Sequence, residues 1–113
     1  AIAVDNNGNA YAVGSTNSPN FPTTPSALQT ALVGLTDAFI TKLNPTGTAL
    51  IYSTYLGGSN AQAGNGITID SNSNAYIIGA TNSVNFPTTP GAFQTVFAGG
   101  SGSDAFITKL NST

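Results

Sequence analysis

The chain has 113 residues, among them two Lys or Arg, four Asp or Glu, no His and no Cys, with a net charge of −2. Without His or Cys, the sequence excludes a Ser-His-Asp triad, a cysteine nucleophile and an ordinary zinc site. Two cationic side chains cannot neutralise a nucleic-acid backbone, so we expect no nucleic-acid binding. The sequence contains no run of about 20 apolar residues, so we expect no membrane insertion.

The first predicted element is a hairpin, because an apolar run, an Asn/Gly turn and a second apolar run follow one another at residues 2–14. The same pattern returns at residues 67–79. Counting along the chain, the first repeat unit has predicted strands near 2–5, 10–14, 37–43 and 49–56. The second unit has predicted strands near 67–70, 75–79 and 104–110.

An internal repeat relates these elements. Residues 2–30 align with residues 67–95, with 19 of 29 positions identical, and DAFITKLN at 37–44 recurs unchanged at 104–111. We therefore predict a first repeat at 1–65 and a second, incomplete repeat at 66–113, and we expect the chain to belong to a longer array. The offset changes within the Gly-rich segment 99–102, which we interpret as a surface loop.

Several predicted strands carry apolar side chains on both faces, which indicates sheets packed between neighbouring sheets. Repeated four-stranded antiparallel sheets stacked face to face are the blades of a β-propeller. We therefore predict an all-β fold of about two blades, the second lacking its last strand. We expect the following strand residues to be largely buried: Ile2, Val4, Tyr11, Val13, Phe39, Ile40, Leu43, Leu50, Tyr52, Ile67, Ile69, Tyr76, Ile78, Phe106, Ile107 and Leu110.

The long connection before the third strand of each unit contains a Thr-Pro pair. Proline suits the first turn of a helix and a preceding Thr can cap it, so Thr24 and Thr89 are candidate caps. We predict one short helical turn at 25–30 and another at 90–95, with Leu28 and Phe93 pointing inward.

All charged side chains occur as repeat-equivalent pairs: Asp5 and Asp70, Asp37 and Asp104, Lys42 and Lys109. A catalytic site needs different groups that converge on one point, so we predict no catalytic residue, no cofactor and no enzyme activity. Asp5 and Asp70 are expected to bond the backbone of the hairpin turn, in which Gly8 also lies. Asp37 and Asp104 are expected to open the third strands, and each Lys could pair with a nearby carboxylate.

Three alternatives concern ligands. Asp5, Asn7 and Asp70 are weak calcium candidates, because the oxygen spacing resembles a calcium loop but an EF-hand requires a glycine where Ala10 lies. Asn111 begins the sequon NST and is a candidate glycosylation site. The four tyrosines, together with the many Asn side chains, could instead form a sugar-stacking surface, although they lie in predicted strands: Tyr11, Tyr52, Tyr55 and Tyr76.

The combined motifs resemble the SBBP repeat, a bacterial β-propeller repeat: DxxGNAYxxG from Asp5, FPTTPxAxQT from Phe21, DAFxTKL from Asp37 and GTxLxYSTYLGG from Gly47. The first hairpin is also similar to the opening of an NHL-type blade. The second copy departs at Ser73, where the pattern has Gly, so we expect a slightly different hairpin turn there. The resemblance implies a propeller in secreted or surface-exposed proteins, with no catalytic residues and no established ligand.

We therefore expect a non-enzymatic structural or interaction module of an extracellular or cell-surface protein, whose surface is polar but almost uncharged. The alternative is a carbohydrate-binding, lectin-like propeller. The expected partners are copies of the chain or further repeats of the same chain, and in addition glycans or other surface proteins. The unpaired edge of the strand near 104–110 is expected to attract another chain and to favour a ring or filament.

Overall fold

The computed structural model describes residues 1–113 and contains seven β-strands. In chain order they are β1 (Ile2–Val4), β2 (Ala10–Thr16), β3 (Asp37–Leu43), β4 (Leu50–Leu56), β5 (Gln62–Ile69), β6 (Ala75–Thr81) and β7 (Asp104–Leu110). Strands β1-β2-β3-β4 form the first sheet and β5-β6-β7 form the second sheet, with every neighbouring pair antiparallel. The predicted all-β architecture, with one four-stranded and one three-stranded sheet, is confirmed.

The two opening hairpins close with the same turn geometry. The Gly8 amide donates to the Asp5 carbonyl at 3.0 Å, and the Ser73 amide donates to the Asp70 carbonyl at 2.9 Å. Gly8 has φ +81° and Ser73 has φ +63°, so both lie in the left-handed region. The altered turn expected at Ser73 is therefore wrong, because the surrounding hairpin bonds hold the serine in a conformation that normally favours glycine.

The two sheets pack face to face through a shared apolar core. This core consists of Tyr11, Val13, Ala38, Ile40, Tyr52 and Leu56 from the first sheet and Ala75, Ile77 and Phe106 from the second. Strand β5 approaches the first sheet closely at Gly64, where a Cβ atom would overlap the Val13 side chain. Glycine at this position therefore allows the two sheets to come together.

Five residues of the predicted core are instead exposed: Ile2, Val4, Leu50, Ile78 and Ile107. Position in the stack explains most of this error. Ile78 and Ile107 are 54% and 79% exposed, whereas their repeat equivalents in the first sheet, Val13 and Ile40, are 3% and 0% exposed. The second sheet covers those two residues, and nothing covers the corresponding face of the second sheet.

The long connections, here called the first insert (17–36) and the second insert (82–103), contain no helix. The predicted helical turns are wrong: single turns form instead, with the Ala27 amide donating to Thr24 O and the Ala92 amide to Thr89 O. Thr24 does not cap a helix, because its amide donates to the Ser53 carbonyl at 3.0 Å and so fixes the insert along β4. Leu28 and Phe93, predicted to point inward, are both exposed.

The Gly-rich segment forms a tight turn, in which the Gly102 amide donates to the Gly99 carbonyl at 2.7 Å. No helix in the structure has the length and apolar character needed to cross a membrane.

Candidate functional site: a face repeated on both sheets

A buried polar cluster lies at the closed end of the first hairpin. Asp5 Oδ1 accepts the amides of Asn7 at 2.9 Å and Asn9 at 3.0 Å, while Oδ2 accepts the Asn9 side-chain amide at 2.9 Å. The Tyr11 hydroxyl also donates to Asp5 Oδ2, at 3.0 Å. Lys42 Nζ lies 3.7 Å from the same oxygen and 4.9 Å from the centre of the Tyr11 ring. Asp5 thus ties the turn, the second strand and the third strand together.

The hydrogen bonds determine the charge of this cluster. Burial alone raises the pKa of Asp5, but the bonds from Asn9, Tyr11 and Asn7 outweigh it and hold the pKa well below its usual range. Burial, followed by the hydrogen bond to Asp5, raises the pKa of Tyr11 above its usual range. Asp5 is therefore a carboxylate and Tyr11 a neutral donor at physiological pH.

The second sheet carries the same cluster at the repeat-equivalent positions. Asp70 accepts the amides of Asn72 and Asn74 and the Asn74 side-chain amide, each at 2.9 Å, and the Tyr76 hydroxyl at 3.2 Å. Lys109 Nζ lies 5.1 Å from the centre of the Tyr76 ring. Hydrogen bonds from Asn74 lower the pKa of Asp70, and the neighbouring Tyr76 side chain raises the pKa of Lys109.

The two clusters differ in what covers them. In the first sheet, the Tyr11 hydroxyl shares its single proton between Asp5 Oδ2 and Ser73 O, which lies at 3.2 Å, and Lys42 Nζ donates to Ser112 O at 3.2 Å. Ser73 O and Ser112 O are both backbone carbonyls of the second repeat unit. Lys42 is buried as a result, whereas Lys109 is exposed.

These residues belong to one face of each sheet, because they alternate along paired strands. We call this the forward face: Tyr11, Val13, Ala38, Ile40 and Lys42 in the first sheet, and Tyr76, Ile78, Ala105, Ile107 and Lys109 in the second. The opposite, rear face carries Ile2, Val4, Phe39 and Leu43 in the first sheet, and Ile67, Ile69, Phe106 and Leu110 in the second. In the structure, the rear face of the second sheet packs on the forward face of the first.

The remaining carboxylates hold the inserts. Asp37 is fully buried and accepts the Gln29 side-chain amide at 2.7 Å and the amides of Val33 at 3.0 Å and Gly34 at 3.1 Å. Asp104 accepts the Gln94 side-chain amide at 3.1 Å and the Ala98 amide at 2.8 Å. Each carboxylate therefore joins the end of its insert to the start of the third strand.

The calcium candidates do not converge on one point with open ligand positions. Both Asp5 oxygens accept hydrogen bonds, and Asn7 contributes its backbone amide to Asp5. No group of three or more His, Cys, Asp or Glu side chains is placed to hold a metal ion. Asn111, the candidate glycosylation residue, is exposed.

The tyrosines do not form an open stacking surface. Tyr11, Tyr52 and Tyr55 are buried, and only Tyr76 is partly exposed. Burial raises the pKa of Tyr52 to about 12, and its hydroxyl is buried without a hydrogen-bond partner. Tyr52 lines a cavity of about 300 Å³ between the first insert, β4 and residues 109–113. Sequence reasoning missed this hydroxyl because these segments are far apart in the chain.

Two antiparallel sheets that repeat in sequence and stack front to back define a β-repeat protein of the propeller type. The Beta-propeller repeat family (SBBP) matches residues 1–22 and 51–87, which is more than half of the chain. The chain belongs to this family. No curated protein matches it.

Proposed function

We propose that the chain is a non-enzymatic structural module that binds further sheets of its own kind at both ends of its stack. The observation that carries the proposal is the unequal burial of repeat-equivalent surfaces. Ile40 is fully buried against the second sheet, whereas its equivalent Ile107 is 79% exposed. On the exposed forward face of the second sheet, the Asp70 cluster already has the same arrangement as the Asp5 cluster. The Asp5 cluster lies on the forward face of the first sheet, against which the second sheet packs.

The other end of the stack supports the proposal. Ile2 and Val4 on the rear face of the first sheet are 71% and 61% exposed, whereas their equivalents Ile67 and Ile69 pack against the core. A free forward face and a free rear face on one chain are complementary but different surfaces. Contacts of this head-to-tail kind produce closed rings or open filaments. The partners are copies of the chain or further repeats of the same chain.

A structural role also fits the use of the charged residues. Each carboxylate accepts hydrogen bonds that close a hairpin or hold an insert, in both repeat units. None therefore needs a catalytic task to account for its position. An almost uncharged polar surface and membership of this family support an extracellular or cell-surface location, as part of a secreted protein.

Analytical ultracentrifugation of the chain over a range of concentrations tests this function. Self-association is expected, and Ile107→Lys should weaken it by at least tenfold, because association would bury an unpaired ammonium group. Leu35→Lys is the matched control, since Leu35 is 75% exposed but lies outside both faces. A chain that stays monomeric at every concentration, or that associates equally well with Ile107→Lys, would contradict the proposal.

A further inference from the structure

Residues 57–61, here called the link, join β4 of the first sheet to β5 of the second, and the second insert fixes the link from one side. The Ser59 amide donates to Asn85 Oδ1 at 2.9 Å, and the Asn60 amide donates to Ser83 Oγ at 2.8 Å. The second insert thus bonds amide groups of the link. The carbonyl oxygens of Gly58 and Asn60, in contrast, accept no hydrogen bond from the protein.

These two carbonyl oxygens lie close to the carboxylate of Asp37, at the start of β3. A Cβ atom placed on Gly34 would overlap Asn60 O. The same atom would lie 2.6 Å from Gly58 O and 2.8 Å from Asp37 Oδ1. Three oxygens, two from the link and one from β3, therefore converge beside a glycine, where any side chain would push them apart.

A fourth oxygen comes from Gln62, the first residue of β5. Gln62 is only 3% exposed, and its side-chain nitrogen donates to Ser83 Oγ. Its other polar atom, Oε1, is buried without a hydrogen-bond partner. A Cβ atom placed on Gly57 would overlap both Gln62 Oε1 and Asp37 Oδ1, so the unpartnered oxygen also lies beside the carboxylate.

This group of oxygens has no cationic side chain beside it. The ion pair of the chain joins Lys42 to Asp5, whereas the buried Asp37 carboxylate is bonded only by neutral groups of the first insert. Buried oxygens without donors lose their bonds to water and gain none in return, which costs free energy. A hard cation removes this cost, and Ca²⁺ in particular is bound by carboxylate, Gln side-chain and backbone carbonyl oxygens.

We propose that the junction between the two sheets binds one calcium ion through four protein oxygens: Asp37 Oδ1, Gln62 Oε1, Gly58 O and Asn60 O. Water completes the coordination, and the expected Kd is about 0.1–1 mM, as in extracellular calcium-binding modules. The ion joins the start of β3 to the start of β5 and so stabilises the contact between neighbouring repeats. Every ligand lies between the two sheets, so the inference does not depend on the outer faces or on the function proposed above.

Calorimetric titration of CaCl₂ into the metal-free chain, at constant ionic strength, tests the site. We expect one ion to bind per chain and the midpoint of thermal unfolding to rise. MgCl₂ should raise the midpoint much less, because Mg²⁺ requires shorter and nearly octahedral coordination. Gln62→Met removes the fourth oxygen but keeps the length of the side chain, and it should weaken calcium binding at least tenfold.

Gln62→Glu gives a sharper test, because it replaces the amide by a second carboxylate. Without calcium, the two neighbouring carboxylates should lower the unfolding midpoint. Calcium should restore the midpoint and bind at least tenfold more tightly than to the wild-type chain. Gln94→Glu is the matched control, since Gln94 also contacts an aspartate, Asp104, but lies away from the link. Its response to calcium should equal that of the wild-type chain.

Four results would overturn the proposal. One is a wild-type chain that shows no heat of binding and the same midpoint with and without calcium. Equal calcium affinity of Gln62→Met and the wild-type chain would place the ion elsewhere. A loss in Gln62→Glu that calcium does not restore would mean that the Gln62 amide donates a hydrogen bond to Asp37 instead. An equal gain of calcium affinity in Gln94→Glu would show that any pair of carboxylates is sufficient.

Discussion

Asp5 and Asp70 are chemically the same residue in two environments. Both accept two backbone amides, one side-chain amide and one tyrosine hydroxyl. Only Asp5 lies at the contact between the sheets, where its side chain is 1% exposed and faces a Lys42 side chain that is 6% exposed. The hydrogen-bonding motif is therefore the same in both repeats. Whether a neighbouring sheet buries the motif determines how strongly the stability of the fold depends on the carboxylate charge.

This difference predicts unequal effects of the same substitution. Asp5→Ala should lower the free energy of unfolding by about 3–5 kcal/mol, because it leaves the Lys42 ammonium buried without its counter-charge. Asp70→Ala should cause a clearly smaller loss, since water can solvate Lys109. Urea unfolding of both variants, followed by circular dichroism, measures the contrast. Equal losses would mean that the cluster stabilises only its own hairpin.

The same carboxylate should make stability depend on pH. The pKa of Asp5 in the folded chain lies below its value in the unfolded chain. Its contribution is therefore complete above about pH 4 and is lost as the pH falls toward the folded pKa. The difference in stability between the wild-type chain and Asp5→Asn should accordingly be largest at neutral pH and shrink below about pH 4. A difference that does not change between pH 7 and pH 3 would contradict this assignment.

Among the structural elements, the hairpins could be predicted from sequence and the inserts could not. A hairpin such as residues 2–14 is specified by neighbours in the chain, namely apolar runs and an Asn/Gly turn. The partner of Thr24, in contrast, is Ser53 on β4, far along the sequence. Judged from its sequence neighbours alone, a Thr-Pro pair predicts the start of a helix. In the structure, the Thr24 amide instead bonds to β4, and local sequence spacing does not identify that partner.

Packing between the sheets depends on Gly64 of β5, a residue without a side chain. Gly64→Ala should reduce stability by about 1–3 kcal/mol, because the added Cβ would overlap Val13 across the contact between the sheets. Val13→Ala removes the obstructing atoms at the cost of a cavity. A double-mutant cycle should therefore show that Gly64→Ala is much less harmful in the Val13→Ala background. Additive losses would show that the Val13 side chain is not what obstructs the added Cβ atom.

At the scale of the whole molecule, the sequence pattern identified which repeat positions can pack against a neighbouring sheet. It did not identify which of them are buried in this chain. Val13 and Ile78 occupy the same repeat position, yet one is 3% and the other 54% exposed. Periodicity depends only on the repeat, whereas burial also depends on whether a neighbouring sheet is present. The sequence could not identify the candidate site for the same reason, because its residues are the same or similar at equivalent positions of both repeats.

Stability should therefore rise when the stack is lengthened. Appending a copy of residues 47–113 after Thr113 supplies a fourth strand for the second sheet and a third sheet to cover Ile78 and Ile107. In repeat proteins the free energy of folding is approximately a sum of repeat terms and nearest-neighbour interface terms, so one added interface should raise the unfolding midpoint and keep the transition cooperative. Thermal denaturation of the original and lengthened chains measures the gain, and the lengthened chain carrying Ile107→Lys is the control that should lose most of it. A lengthened chain that melts in two separate steps, the first at the original midpoint, would show that the forward face of the second sheet does not bind the next sheet.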